Sequence, residues 1–175
     1  MDLRKAAHDP WVWGQLALFV LVGFWAPLVP RWVNLGPLDA QLNRVDPPWL
    51  RVLGGLIAIG GFAFAHWAVR SLGAALTPGT EPLPGASLVR EGPYQYVRHP
   101  IYTGIVFMLA GWTLAWANWT LALLVWVVSA LYFEGKARAE ERWLTARHAA
   151  YAEYARWVRR RVVWTGDASA RGRSA

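Results

Sequence analysis

The sequence predicts an all-α polytopic membrane protein with about four membrane-embedded helices. Three observations carry that reading. Apolar residues make up 55% of the 175-residue chain and gather into four runs, and roughly 20 such residues cross a bilayer core. Thirteen tryptophans exceed ordinary usage and suit the membrane–water boundary, where the ring sits in the apolar layer and the N–H stays wet. Lysine and arginine are also divided unevenly between the two sides that such helices would define. The net charge of +7 therefore reads as attraction to anionic headgroups. Nucleic acid is not expected as a partner, because the basic residues do not interleave with a soluble fold.

The length fits one domain over residues 1–175. Trp11 to Val29 is nearly free of charge, with Gln15 its only strongly polar side chain, and Pro27 and Pro30 mark its end. It reads as a retained span over 11–30, since no convincing small-residue cleavage site follows it. From Arg31 to Arg51, Asp39, Asn43, Asp46 and the Pro47-Pro48 pair predict a loop. A second span is expected over 52–69, where Gly54, Gly55, Gly60 and Gly61 would let another helix approach closely. His66 near its end reads as a hydrogen-bonded interfacial group.

Ser71 to Pro100 is rich in Pro and Gly, too irregular for a helix and too long for an idle connector, so it reads as a functional loop. Two shorter apolar runs, Ile101–Ala117 and Trp119–Phe133, flank Asn118 and predict a tight helical hairpin. Beyond Phe133 the helical pattern continues with Glu134, Lys136, Arg138, Glu140, Glu141 and Arg142, then reaches Tyr151, Tyr154 and Arg159-Arg160-Arg161. Glu134 falls at the membrane edge, where a carboxylate requires a partner. From Thr165 the tail is small and polar, the composition of a disordered segment.

With four spans, both termini and the loop over 71–100 share one side. That side holds Arg4, Lys5, Arg70, Arg90, Arg98 and all ten basic residues from Lys136 onward, against Arg31, Arg44 and Arg51 opposite. The bias predicts a cytoplasmic loop and a cytoplasmic charged tail, in a membrane expected to be the prokaryotic cytoplasmic one. The chain has no cysteine, which excludes disulfides and thiol nucleophiles. His8, His66, His99 and His148 show no metal-ligand spacing, and no metal site is expected.

Gly92-Pro93-Tyr94-Gln95-Tyr96-Val97-Arg98-His99-Pro100-Ile101-Tyr102-Thr103-Gly104 packs Arg, His, three Tyr and two Pro at the mouth of an apolar helix. Polar groups there are costly without partners or a task, so this stretch predicts a site that binds something polar while facing lipid. The charged helix shares that membrane face, with Lys136 and Glu140 one turn apart. From residue types alone, that pair is more often a solvated salt bridge than a site.

Leu88-Val89-Arg90-Glu91-Gly92-Pro93-Tyr94, Arg98-His99-Pro100-Ile101-Tyr102-Thr103-Gly104, Arg138-Ala139-Glu140-Glu141 and Tyr151-Ala152-Glu153-Tyr154 together resemble the isoprenylcysteine carboxyl methyltransferase family and its phospholipid methyltransferase relatives. The resemblance covers roughly 72–161, within an expected cofactor-binding part over 71–161. It implies S-adenosylmethionine held between the loop and the charged helix, with a lipophilic acceptor entering from the bilayer. It also implies cofactor contacts at Ala86, Ser87, Leu88, Val89, Tyr94, His99, Pro100, Ile101, Tyr102 and Glu140, and an acceptor contact at Lys136. Arg98, which can keep its charge in a dry place and offers five donors in fixed geometry, is read with Lys136 as catalytic, orienting the acceptor or the cofactor carboxylate, with a scaffold role as its alternative. Methyl transfer in line needs chiefly proximity and exclusion of water. The methylated atom, whether oxygen, sulfur or nitrogen, stays open, as does the oligomeric state. A nicotinamide-dependent reductase of the sterol-reductase kind and a non-catalytic membrane subunit are the alternatives.

Overall fold

Proline begins three of the helices that build this protein, because its fixed φ and missing N–H suit the first helical turn. A computed structural model describes residues 8–28, 36–37, 47–77, 79–81, 85–116 and 119–165. The helices are α1 (Pro10–Leu28), α2 (Pro48–Leu72), α3 (Pro100–Trp116), α4 (Trp119–Arg147) and α5 (Tyr151–Trp157), with 3-10 turns at Gly73–Ala75 and Gly92–Gln95. Among the described residues there is no strand, and three helices are long and apolar enough to cross a membrane, α3 being shorter. The protein is thus an all-α polytopic membrane protein.

Two boundaries differ from the sequence reading, at Pro48 and at Thr165. Pro48 is the first residue of α2 and not loop, with Pro47 as its extended N-cap. Pro27 lies in the last turn of α1, where the sequence reading ends that span, since proline has no N–H to give the carbonyl one turn before it. As the helical pattern continuing past Phe133 predicts, the apolar and charged parts after Trp119 form one helix of 29 residues. Thr165 also belongs to the folded part, donating to Glu134 at 3.3 Å. Pro30, Asp39, Asn43, Asp46, Pro78, Pro82, Pro84, Asn118 and the tail after Thr165 lie outside the described residues.

The α2–α3 pair is joined along small residues. A Cβ added to Gly104 would lie 2.6 Å from the Ala65 nitrogen and the Gly61 oxygen, and one on Gly54 would lie 2.6 Å from the Ala115 nitrogen. Backbones this close gain dense packing, the main source of helix association in lipid. Among the described residues, a Cβ on Gly55 or Gly60 would meet nothing within 4 Å, so Gly54 and Gly61 are the α2 glycines that serve the contact. Helix α3 then packs Tyr102, Ile105, Val106 and Leu109 against Val22 of α1, Ala130, Phe133 and Ala137 of α4, and Val162 beyond α5. Leu21, Phe24, Leu56, Ile59, Phe62 and Leu131 stay exposed on the outer faces, the arrangement expected where lipid is the solvent.

Helix α2 stops at Gly73, whose φ of 53° is open to glycine and whose N–H bonds the Val69 carbonyl. The chain then runs irregularly across one end of the bundle until Pro100. Gly92 is required there twice over: its φ is 61°, and a Cβ would lie 2.7 Å from Ser71 Oγ.

Candidate functional site

Five segments converge where that irregular chain crosses the bundle. They enclose a cavity of about 370 Å³, within the roughly 300–1,000 Å³ of small-molecule sites. Its wall includes Ala86, Ser87, Leu88, Val89, Tyr94, Arg98, His99, Ile101, Tyr102, Lys136 and Glu140. All the site residues inferred from sequence therefore meet here except Pro100, which is buried as the first residue of α3. Gln15 of α1 and Tyr151 and Tyr154 of α5 join the wall as well.

The helical repeat sets the polarity of the site. Lys136 and Glu140 lie one turn apart and face the cavity from α4. Tyr102 donates to Glu140 at 2.7 Å, and His99 Nδ1 stands 3.5 Å from the same carboxylate. The His99 and Tyr102 rings stack with centroids 5.3 Å apart. Lys136 is not half of a solvated pair: it is 1% exposed, donates to Gln15 Oε1 at 2.6 Å, and lies 5.4 Å from the Tyr102 ring centroid.

Glu141 turns to the other side of α4. It accepts from Arg98 Nε at 2.8 Å and from Arg161 Nε at 2.8 Å, with His99 Nε2 at 3.3 Å. Arg161 also reaches Glu134 at 2.5 Å, which holds Arg138 at 3.0 Å. This is the partner that the position of Glu134 demanded, and it comes from the basic run near the C-terminus.

Arg98 is directed mainly into this network. Besides Glu141, its Nη1 donates to the carbonyls of Val158 at 2.8 Å and Ala155 at 3.3 Å, which the end of α5 leaves without helical partners. The backbone N–H groups of Arg98 and His99 each bond a carbonyl of the same segment, Arg160 and Arg161, at 2.9 Å. Tyr154 donates to the Tyr94 carbonyl at 2.7 Å, and Arg90 donates to the Ala150 carbonyl at 3.2 Å. The loop and α5 thus fix one another around the cavity.

Protonation follows from these contacts. Burial opposes charge on His99, but hydrogen bonds and charge from Glu140 and Glu141 outweigh it and raise its pKa above the usual histidine value. Burial, then Glu140, raises the Tyr94 pKa, and burial dominates the rise at Tyr154. Both phenols are therefore neutral donors at ordinary pH. Among the described residues the buried Tyr151 hydroxyl has no hydrogen-bond partner of normal geometry; burial and the nearby Glu141 charge raise its pKa too. A buried hydroxyl left in that state costs free energy until something polar meets it.

Asp9, before α1, accepts from the Trp11 N–H at 2.9 Å and from the Thr80 N–H at 2.7 Å. Burial works against its charge, but these bonds and the Lys136 ammonium hold its pKa below the usual carboxylate value. Arg147 pairs with Glu81, so residues 79–81 are tied to α1 on one side and to α4 on the other. The sequence offered weak signals for two of these features. Gln15 was the lone polar side chain in its span, and Tyr151 and Tyr154 are spaced to share a helix face.

The site carries the Glu140 carboxylate, the Lys136 ammonium, Arg98 and His99, several neutral phenols and an apolar wall, beside helices that face lipid. Among the described residues no group of His, Asp and Glu is arranged to hold a metal ion. The uncharacterized protein YpbQ of Bacillus subtilis (strain 168) is 26% identical over 96 residues, 55% of this chain and 56% of the relative. The chain thus aligns with only about half of that protein. The sequence pattern of one family, described as phospholipid methyltransferase, matches residues 49–150, a span that includes α2, the irregular segment, α3 and α4 with Glu140. By that match the chain belongs to the phospholipid methyltransferase family.

Proposed function

We propose that this protein is an S-adenosylmethionine-dependent membrane methyltransferase acting on a lipophilic acceptor drawn from the bilayer. The observation that carries this reading is the convergence of Glu140, Tyr94, Tyr102 and the Ala86–Val89 segment on one cavity beside lipid-facing helices. The donor set fits the cofactor. Glu140 suits an ammonium or ribose hydroxyls, the phenol rings suit a sulfonium by cation–π attraction, and the buried Tyr151 hydroxyl offers a further polar contact. When bound, S-adenosylmethionine would supply an activated methyl group.

The chain's own residues then orient and exclude water. Val69, Leu72, Ile101, Ile105 and Leu144 provide an apolar wall for a lipophilic acceptor. Lys136, held on the cavity wall, meets the acceptor's polar end. Transfer in line draws its rate from alignment and a dry site more than from a nucleophilic side chain. The bias of Lys and Arg supports placing the cavity mouth on the cytoplasmic face.

The test is to incubate purified protein and native lipid extract with methyl-labelled S-adenosylmethionine. Label in a phospholipid, a prenylated thioether acid or a small thiol would identify the acceptor atom. Absence of any labelled product, with reduction of a lipid by added nicotinamide cofactor, would overturn the reading in favour of a reductase.

A further inference from the structure

Helix α1 lies wholly outside the family match over 49–150, yet it reaches the cavity through one side chain. Gln15 presents Oε1 to Lys136 Nζ at 2.6 Å. The place of α1 is closely set. Tyr132 hydroxyl donates to the Trp11 carbonyl, a Cβ on Gly14 would lie 2.8 Å from the Tyr132 ring, and one on Gly135 would lie 2.8 Å from the Trp11 ring. Asp9 anchors the start of the same helix to Thr80. A side chain on so constrained a helix defines a fixed point in the site.

Lysine's long stem gives its ammonium freedom that arginine's rigid fork does not have. Here the ammonium is buried and lies between an amide oxygen and the Tyr102 ring. We propose that Gln15 is a positioning residue, fixing the Lys136 ammonium at the cavity wall and thereby setting recognition of the acceptor. Acceptor selectivity would then come in part from a helix outside the family-matched segment, while the matched segment holds the cofactor. This inference rests on the methyl-transfer reading above.

The test compares wild type, Gln15→Met, Gln15→Glu, Lys136→Met and the Gln15→Met/Lys136→Met double variant. Each is assayed in mixed micelles of native lipid extract with methyl-labelled S-adenosylmethionine, and S-adenosylhomocysteine affinity is measured by calorimetry. Gln15→Met is similar in length but lacks the oxygen; loss of one hydrogen bond to a charged group should raise its apparent KM for lipid about tenfold. Its kcat and S-adenosylhomocysteine affinity should stay within about threefold, a factor below one such bond. Gln15→Glu, which keeps an oxygen at that reach, should retain near wild-type KM, and the double variant should be no worse than Lys136→Met. Unchanged KM in Gln15→Met, equal impairment of Gln15→Glu, additive losses in the double variant, or a parallel fall in S-adenosylhomocysteine affinity would each overturn the inference. Absence of labelled product from wild type would instead overturn the methyl-transfer reading beneath it.

Discussion

Glu140 and Glu141 are adjacent in sequence but belong to different structures. Successive helical residues diverge by about 100°, so Glu140 reaches the cavity and Tyr102, whereas Glu141 joins Arg98, His99 and Arg161 in a buried network.

Substituting the two carboxylates should therefore separate binding from stability. Glu140→Gln should weaken S-adenosylhomocysteine binding by about tenfold or more, the scale of one charge-assisted hydrogen bond, with a smaller fall in thermal midpoint than Glu141→Gln. Glu141→Gln leaves Arg98 and Arg161 without a shared counter-charge and should destabilise the fold by about 3 kcal/mol. Calorimetry and thermal unfolding in detergent check the division; equal loss of affinity in both variants would defeat it.

Arg98→Lys should act first on the C-terminal segment. Lysine keeps the charge but cannot hold Glu141 and the carbonyls after α5 together, so the fold should lose about 1.5–3 kcal/mol. Proteolysis within residues 155–162 should accelerate in step. A well-folded Arg98→Lys protein with unaltered proteolysis and no turnover would instead place Arg98 in the chemistry.

The glycines of α2 and α3 offer a paired control. Gly104→Ala forces a methyl into the backbone of α2 and should destabilise by about 1–3 kcal/mol. Gly60→Ala adds a methyl where nothing lies within 4 Å and should be neutral or slightly stabilising. Thermal midpoints of the two purified variants give the comparison, and equal midpoints would show that the close approach contributes little.

His99 should give the protein a pH dependence of its own. Its folded pKa is raised by Glu140 and Glu141 against the effect of burial, so the protonated form is favoured on folding. That stabilisation is complete below the unfolded value of about 6.5 and is lost as pH rises through the higher folded value. The thermal midpoint of wild type should fall across that window, and His99→Asn should flatten the decline. A decline of equal slope in His99→Asn would assign it to other groups.

Much of this architecture was legible because lipid imposes simple rules: apolar runs, tryptophans and basic residues locate helices and their ends without knowledge of packing. The stretch Gly92–Gly104 was legible for a different reason, since polar residues beside an apolar helix require a task, whereas Ala86–Val89 and the Lys136–Glu140 turn stood out only through the family resemblance. What escaped were contacts between distant parts of the chain. Arg161 looked like one of three surface arginines, yet it alone is drawn between Glu134 and Glu141. Gln15 looked like a tolerated polar residue, because nothing local says that Lys136 lies across the bundle from it. Which glycines of α2 meet α3 was likewise hidden, because helix phase depends on the partner.

The pairing of Arg98 and His99 with the backbone of Arg160 and Arg161 has a consequence for biogenesis. Synthesis reaches the motif and its helices before the segment that ties the motif down, since Arg161 follows the end of α4 at Arg147. Until that segment emerges, Glu134 and Glu141 stand at the bilayer margin without Arg161, and the loop has no edge to pair with. Insertion and maturation are thus separate events. A chain halted after α4 would hold its helices in the membrane with the motif still unsecured, and the site takes its shape only once the last arginine of the run has been added.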